Sequence, residues 1–352
     1  MKILVTGNLG YVGPGVVAQL RRSYPDAELA GLDMAYFAPG LTGAAVLPES
    51  RLNVQHFGDV RSLPRDVLRN VDAVVHLAAI SNDPMGHRFE KVTLDINHRA
   101  TLDVAAQAKA LGVSSFVFAS SCSVYGAADD TARTEDSPLA PLTAYARSKV
   151  LAEQGLAELA GPGFRVTCLR FATACGWSDR LRLDLVLNDF VAAAVAEKMI
   201  RIQSDGTPWR PLIHVRDMAR AIDWAVGRDG TAGDFVVTNV GADDWNHQVR
   251  DLAAAVAKVI PGVEIWINPD AVPDRRSYRV SFERYRRLAP AHQPGWDLMA
   301  TVTELADGLG RLGFADTAFR TSTLMRLNAL AALRASGVLD EELRWTPHRD
   351  GE

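Results

Sequence analysis

Residues 1–13 read MKILVTGNLGYVG, and the reading of this stretch decides the fold. Lys2 to Thr6 has strand character, and from Val12 to Tyr24 the apolar residues recur with a helical period. Between them Gly7, Gly10 and Gly13 stand three apart, in the pattern T-G-x-x-G-x-x-G. A strand that runs through a glycine turn into a helix N-terminus makes an anion site, because unpaired backbone N–H groups and the helix dipole converge there. Three glycines at this spacing serve a tight turn, a close approach of backbone to a phosphate, and close packing of helix on strand.

Outward from this turn, strand and helix patterns alternate. AELAGLD (27–33), NVQHFGD (53–59), DAVVHLAA (72–79), SSFVFASS (114–121) and FRVTCLRFAT (164–173) read as strands, with helices near 64–70, 94–111 and 142–159 between them. Such alternation implies an α/β fold, a Rossmann-like doubly wound parallel sheet with helices on both faces. The helices at 94–111 and 142–159 fall on the same side of it. Beyond Thr173 the pattern loosens. RLRLDLVLNDFVAAAVAEKMI (180–200) reads as one amphipathic helix, IRIQSDG (200–206) as a strand, RDMARAIDWAVG (216–227) as a helix and GDFVVTNVG (233–241) as a strand. The expected organisation is a cofactor domain at 1–170, with about 212–240 returning to it. A smaller interleaved substrate lobe takes 171–211 and 241–352. The stretch 319–345 reads as a helix with a tail and has no evident function.

The chain has 352 residues, enough for a large core, and its net charge of −4 leaves no basic excess to neutralise a nucleic acid. Cys122, Cys168 and Cys175 form no C-x-x-C pair and no metal-ligand spacing, which points to a reducing, cytoplasmic setting and no metal. The apolar run after Lys2 is too short for a signal peptide, and no stretch approaches membrane-spanning length.

Two constellations carry chemistry. Asp33 ends the second strand, twenty residues after Gly13, where a carboxylate accepts both ribose hydroxyls of an adenosine and repels a 2′-phosphate. No Arg follows it, so NAD is favoured over NADP. Asp59 and Val60 are placed to meet the adenine edge, and Leu77, Ala78 and Ala79 end a strand with mostly small residues where backbone passes a ligand. The second constellation joins SSCSVYG, which carries Ser121, to YARSK, which carries Tyr145 and Lys149 at i and i+4 on one helix face. An ammonium beside a phenol lowers its pKa and makes a usable base, and Ser121 can hold the same substrate oxygen.

With TGNLGYVG, Asp33, HLAA, SSCSVYG, YARSK and GTPWRPLIHVRDMARA, nearly the whole chain resembles the extended short-chain dehydrogenase/reductase family of NAD-dependent nucleotide-sugar epimerases and dehydratases. The resemblance implies NAD as cofactor, a nucleotide-sugar substrate and a homodimer packed through the 94–111 and 142–159 helices, where Leu102, Ala106, Leu151 and Leu156 are compatible. It implies cofactor contacts from Gly7, Gly10, Tyr11, Val12, Gly13 and Ser120 as well as Tyr145 and Lys149. Arg210, and Arg276 beside Arg275, would grip the sugar-nucleotide diphosphate, for which a planar guanidinium fork suits. Asn188 resembles a position that meets the nucleotide, Thr173 falls near the sugar, and Cys122 and Ser123 follow the catalytic serine.

In this family Tyr145 takes a sugar hydroxyl proton while the hydride passes to NAD, Lys149 holds the nicotinamide ribose and Ser121 orients the sugar oxygen. Dehydratases carry Asp and Glu directly after the position of Ser121, and decarboxylases keep a Glu at Ser123; this chain has Cys122 and Ser123. Epimerisation at C4 needs only the three residues present and is the expected reaction. A net oxidoreductase ranks second, a 3,5-epimerase using a Cys122 thiolate or a 4,6-dehydratase lower, and a non-catalytic NAD-binding regulator last. Cys122 is open to a packing role as well.

Overall fold

The computed structural model describes residues 1–126, 131–271 and 277–346. Its first strands are β1 (Lys2–Thr6), β2 (Glu28–Asp33), β3 (Val54–Phe57), β4 (Ala73–His76), β5 (Ser115–Ser121), β6 (Arg165–Phe171) and β7 (Thr173–Cys175). After them come β8 (Met199–Ile202), β9 (Trp209–His214), β10 (Phe235–Val240), β11 (Asn246–Gln248) and β12 (Glu264–Ile267). Seven strands form one parallel sheet in the order β10-β6-β5-β4-β1-β2-β3. The order reverses beside β1, which opens a crevice at the strands' carboxyl ends. Two small sheets, β11-β9-β7 and β12-β8, belong to the second half of the chain.

Alternation along the strands divides the core in two. Ile3 and Val5 point into one apolar cluster and Leu4 into the other, all completely buried. The helices are α1 (Gly13–Ser23), α2 (Asp83–Arg88), α3 (Glu90–Leu94), α4 (Thr101–Ala110), α5 (Ala144–Leu159) and α6 (Val186–Glu197). They continue with α7 (Val215–Gly227), α8 (Val249–Val259), α9 (Glu283–Leu288), α10 (Leu298–Arg311) and α11 (Arg326–Ala335). Helices α1 and α7 cover the first cluster, and α4 and α5 cover the second. The sequence segment around 212–240 thus returns to the main sheet through α7 and β10.

Two helices depart from the sequence reading. The 94–111 helix carries a π-helical turn, Asp95–Ala100, between α3 and α4. There Asn97 turns inward, accepts from the Ile80 amide at 2.8 Å, and donates to the Ile80 carbonyl at 2.9 Å and to Ser148 Oγ at 3.1 Å. The π turn thereby fixes the loop after β4 against α5, a site-building use such turns often have. The helix expected from residue 180 begins only at Val186. RLRLDL alternates with period two, and an extended segment buries Leu181 and Leu183 completely while Arg180 and Arg182 make ion pairs. On α5, Leu156 is core and Leu151 is exposed, so of these two only Leu151 can meet a partner surface. Among the described residues, no helix is long and apolar enough to cross a membrane.

Candidate active site

One cavity of about 1000 Å³ runs across the carboxyl ends of the sheet strands and into the second lobe. That is the upper end of the range for small-molecule sites. Its first end is walled by backbone. Gly7 has φ +76°, and a Cβ there would stand 2.5 Å from the Ala78 nitrogen. A Cβ on Gly13 would meet the Asn8 carbonyl at 1.9 Å, so this glycine packs α1 against the turn behind the wall. Gly10, whose added Cβ would have only the Gly7 oxygen near it, at 3.2 Å, lines the cavity with Gly7, Tyr11 and Val12. The first turn of α1 carries no acidic side chain, no side-chain cap, and Pro14. Its amides are left to an anion.

Asp33 lies on the same wall and accepts from the Leu9 amide at 3.0 Å and the Ala35 amide at 2.7 Å. Burial raises its pKa, and the two backbone hydrogen bonds oppose that shift. Gly58, Asp59, Val60, Leu77, Ala78 and Ala79 complete this end. The Asp59 carboxylate is paired with Arg61 at 2.6 Å.

Strand β5 and helix α5 deliver the catalytic candidates to the middle of the cavity. Thr143 caps α5, accepting from the Ala146 amide at 3.1 Å and donating to Asp83 at 2.7 Å, which sets Tyr145 in the first turn. The Tyr145 phenol hydrogen-bonds with Ser121, and the Ser121 oxygen also accepts from the Ser123 amide at 3.1 Å. Lys149 Nζ donates to the Ala119 carbonyl at 2.7 Å and stands 4.6 Å from the Phe118 ring centroid and 5.6 Å from that of Tyr145. Ser121, Tyr145 and Lys149 all line the cavity.

The electrostatics correct one sequence expectation. Burial pushes Tyr145 up to about 12; the Ser121 hydrogen bond works against this, and Arg182 is the positive charge of this chain that lowers it. Burial also takes Lys149 down to about 7, with Glu153 opposing. The lysine donates to a carbonyl, and burial, not the lysine, dominates the pKa of the phenol.

The other end is built from side chains. Thr173, Ser123 and Arg210 line it, as do Ser81, Asn82, Asp83, Arg182, Asp184 and Tyr278. Arg182 pairs with Asp184 through two hydrogen bonds of 2.8 and 2.9 Å and donates to Ser81 at 3.0 Å. Among the described residues the buried Ser123 Oγ has no hydrogen-bond partner. Besides Gly13, three expected site residues are off the wall. Cys122 is 1% exposed, its Sγ donates to the Arg170 carbonyl at 3.1 Å, and burial raises its pKa, so it packs the core. Ser120 donates to Glu153, the carboxylate paired with Arg170. Asn188 accepts from the Gly176 amide and donates to Tyr11 Oη and the Arg182 carbonyl, which ties the glycine turn to the 176–182 segment. Arg276 and Arg275 lie outside the described residues. The sequence reading passed over Arg182 and Asp184, although alternation of charged and leucine residues in RLRLDL was the available signal.

Comparison with known proteins agrees with this geometry. The chain belongs to the NAD dependent epimerase/dehydratase family, whose profile matches residues 3–241. It is 30% identical to a dTDP-glucose 4,6-dehydratase of Streptomyces griseus over 308 residues, 85% of this chain and 92% of that one. It is also 30% identical to a UDP-glucose 4-epimerase of Corynebacterium glutamicum over 263 residues, 69% and 76% of the two chains. Among solved structures, MoeE5 in complex with UDP-glucuronic acid and NAD superposes with a TM-score of 0.76 at 25% identity, covering 88% of this chain and 99% of that one. The protein is an NAD-dependent enzyme of the extended short-chain dehydrogenase type. Its glycine turn, open helix N-terminus and Asp33 fit that cofactor.

Proposed function

We propose that the enzyme epimerises a nucleotide sugar at C4 and holds its NAD throughout. The observation that carries this reading is the end of β5. After Ser121 stand a core-packed Cys122 and a serine, and neither is the carboxylate that the family resemblance implies for dehydratases and decarboxylases there. Buried as it is, the thiol is also unsuited to act as a 3,5-epimerase base.

Bound NAD supplies a hydride acceptor and donor, and the positive charge its nicotinamide brings favours the Tyr145 phenolate. Tyr145 takes the proton of the C4 hydroxyl as hydride leaves C4, and Ser121 holds the resulting carbonyl oxygen. Lys149, fixed by the Ala119 carbonyl, takes the ribose hydroxyls. The keto sugar turns, hydride returns to its other face, and Tyr145 gives the proton back. The sum is an isomer with no net oxidation. Arg210 holds the diphosphate, and Thr173 and Ser123 meet the sugar. We also propose a homodimer through α4 and α5, in which Leu151 is covered; sedimentation of the purified protein reads it directly.

A second reading, dehydration, has two observations in its favour: the similarity to a dTDP-glucose 4,6-dehydratase, and Asp83, which lies near enough to Tyr145 to raise its pKa. Asp83 already accepts from Thr143, and Asp184, the other carboxylate nearby, is paired with Arg182. The two readings part on mass. Incubated with UDP-glucose, dTDP-glucose or UDP-glucuronic acid and no added nucleotide, the enzyme should give a C4 epimer of unchanged mass. A product lighter by one water would replace this reading with the dehydratase.

A further inference from the structure

Residues 325–346 cross back from the second lobe to the cofactor end of the cavity, and Met325 and Arg326 are part of its wall. Arg326 opens α11 and is 3% exposed. Its guanidinium lies 4.3 Å over the Phe37 ring, and Nη2 donates to the Arg180 carbonyl at 2.9 Å. That is its one hydrogen bond among the described residues. The nearby carboxylates serve other arginines: Glu49 pairs with Arg180 at 2.7 Å and Asp184 with Arg182 at 2.8 Å. Burial and then Arg182 lower the Arg326 pKa to about 9, with Asp184 opposing and Arg180 adding to the shift.

The wall position is fixed by a short chain of contacts. Arg326 holds the Arg180 carbonyl; the Arg180 amide donates to Ser178 Oγ at 3.2 Å; and Ser178 Oγ donates to the Tyr11 carbonyl at 2.6 Å, within the glycine turn. Across the cavity wall, Asp33 feels the charge of both Arg180 and Arg326. A desolvated guanidinium crowded by two others is costly unless an anion joins it. A dinucleotide diphosphate seated on the α1 amides would supply such an anion, and a guanidinium fork matches its oxygens.

We propose that Arg326 is a ligand of the dinucleotide's diphosphate, carried to it by a C-terminal strap that braces the adenosine end of the site. The strap is anchored on the cofactor wall itself. Trp345 Nε1 donates to the Met34 carbonyl at 2.6 Å, and its ring lies 5.8 Å from that of Tyr36. Tyr36 Oη donates to the Leu343 carbonyl, Arg61 to the Glu342 carbonyl at 2.6 Å, and Arg344 reaches Asp59 at 3.3 Å. Leu339 and Leu343 are buried in the same apolar cluster as Leu32 and Val60. The strap is therefore part of the wall that the adenosine end of the cofactor would meet. This inference rests on NAD at the glycine turn, not on which sugar reaction follows.

The test is a binding measurement without any sugar nucleotide, so its failure is separate from failure of the epimerase reading. Cofactor-stripped protein is titrated with NAD, ADP-ribose and adenosine, as wild type, Arg326→Met and Arg326→Lys. Arg326→Met should weaken NAD and ADP-ribose at least tenfold and leave adenosine unchanged, and Arg326→Lys should recover most of the loss. Unchanged NAD binding in Arg326→Met, or equal losses for all three ligands in both variants, would overturn the proposal. If Arg326→Met does not fold, hydrogen exchange of wild type decides. NAD and ADP-ribose, but not adenosine, should slow exchange across residues 326–346, and equal slowing by all three or none would contradict it.

Discussion

At the β1–α1 turn the wall of the cavity is backbone, held open by glycines whose Cβ atoms would strike Ala78 and Asn8. At the sugar end the wall is side chain: Arg182 forked onto Asp184, Tyr278, Thr173 and Arg210. Tyr145 stands between the two, with Ser121 bonded to it from the strand side and the charge of Arg182 acting on it from the loop side. A backbone wall serves one invariant ligand shape, because it cannot be changed without changing the fold. A side-chain wall can be rebuilt residue by residue, which suits a cofactor shared by a family and substrates that differ within it.

The comparison can be broken in four places. The largest effect belongs to the centre. Tyr145→Phe should lower kcat by about 10³-fold, in the range of a lost general base, while the NAD content of the purified protein stays unchanged. Residual turnover near wild type would remove the phenol from the chemistry. At the backbone wall, Gly13→Ala should cost about 3 kcal/mol of stability, since the added methyl meets a carbonyl 1.9 Å away. A denaturant midpoint equal to wild type would mean that the turn relaxes and is not a rigid cradle. Asp33→Ala should weaken NAD about tenfold to a hundredfold, the value of charge-assisted hydrogen bonds, with sugar-nucleotide binding unmoved. Equal loss of both ligands would make Asp33 a structural brace for Leu9 and Ala35.

The smallest effect at neutral pH is a pH dependence, which grows only as the solution is acidified. His76 ends β4, between Thr6 Oγ1 at 2.9 Å and Thr101 Oγ1 at 3.0 Å, and burial takes its pKa down to about 3. Its folded pKa lies below the unfolded value, so its stabilising contribution is full above pH 6.5 and is lost as pH falls towards 3. Unfolding free energy should therefore drop by about 1.4 kcal/mol per pH unit from this group below pH 6.5, a slope that His76→Gln removes. The same slope in both proteins would assign the acid sensitivity elsewhere.

The two regions were also unequally legible in the sequence. The glycine turn, Asp33 and the Tyr145–Lys149 pair depend on local spacing, one strand or helix at a time, and the structure brings them to one cavity as the spacing implies. Asn188 was misjudged for the opposite reason. The resemblance implies a nucleotide contact for it, but its partners here are Tyr11, 177 residues away, and the Gly176 and Arg182 backbone. Arg326 reaches Arg180 across 146 residues, and nothing in the local pattern TLMRLN (323–328) announces that the strap returns to the cofactor. The pKa of Tyr145 was unreadable too, because burial outweighs a lysine four residues on, and burial is a property of the assembled lobes.

The most direct test of the central claim follows the hydride. A UDP-hexose carrying deuterium at C4 is incubated with the purified enzyme and no added nicotinamide, and the C4 position of the epimer is read by NMR. An NAD-retaining epimerase returns the same label, so the product keeps deuterium at C4. Protium at C4, or an oxidised sugar that accumulates only when NAD is added, would contradict the account and mark a net oxidoreductase.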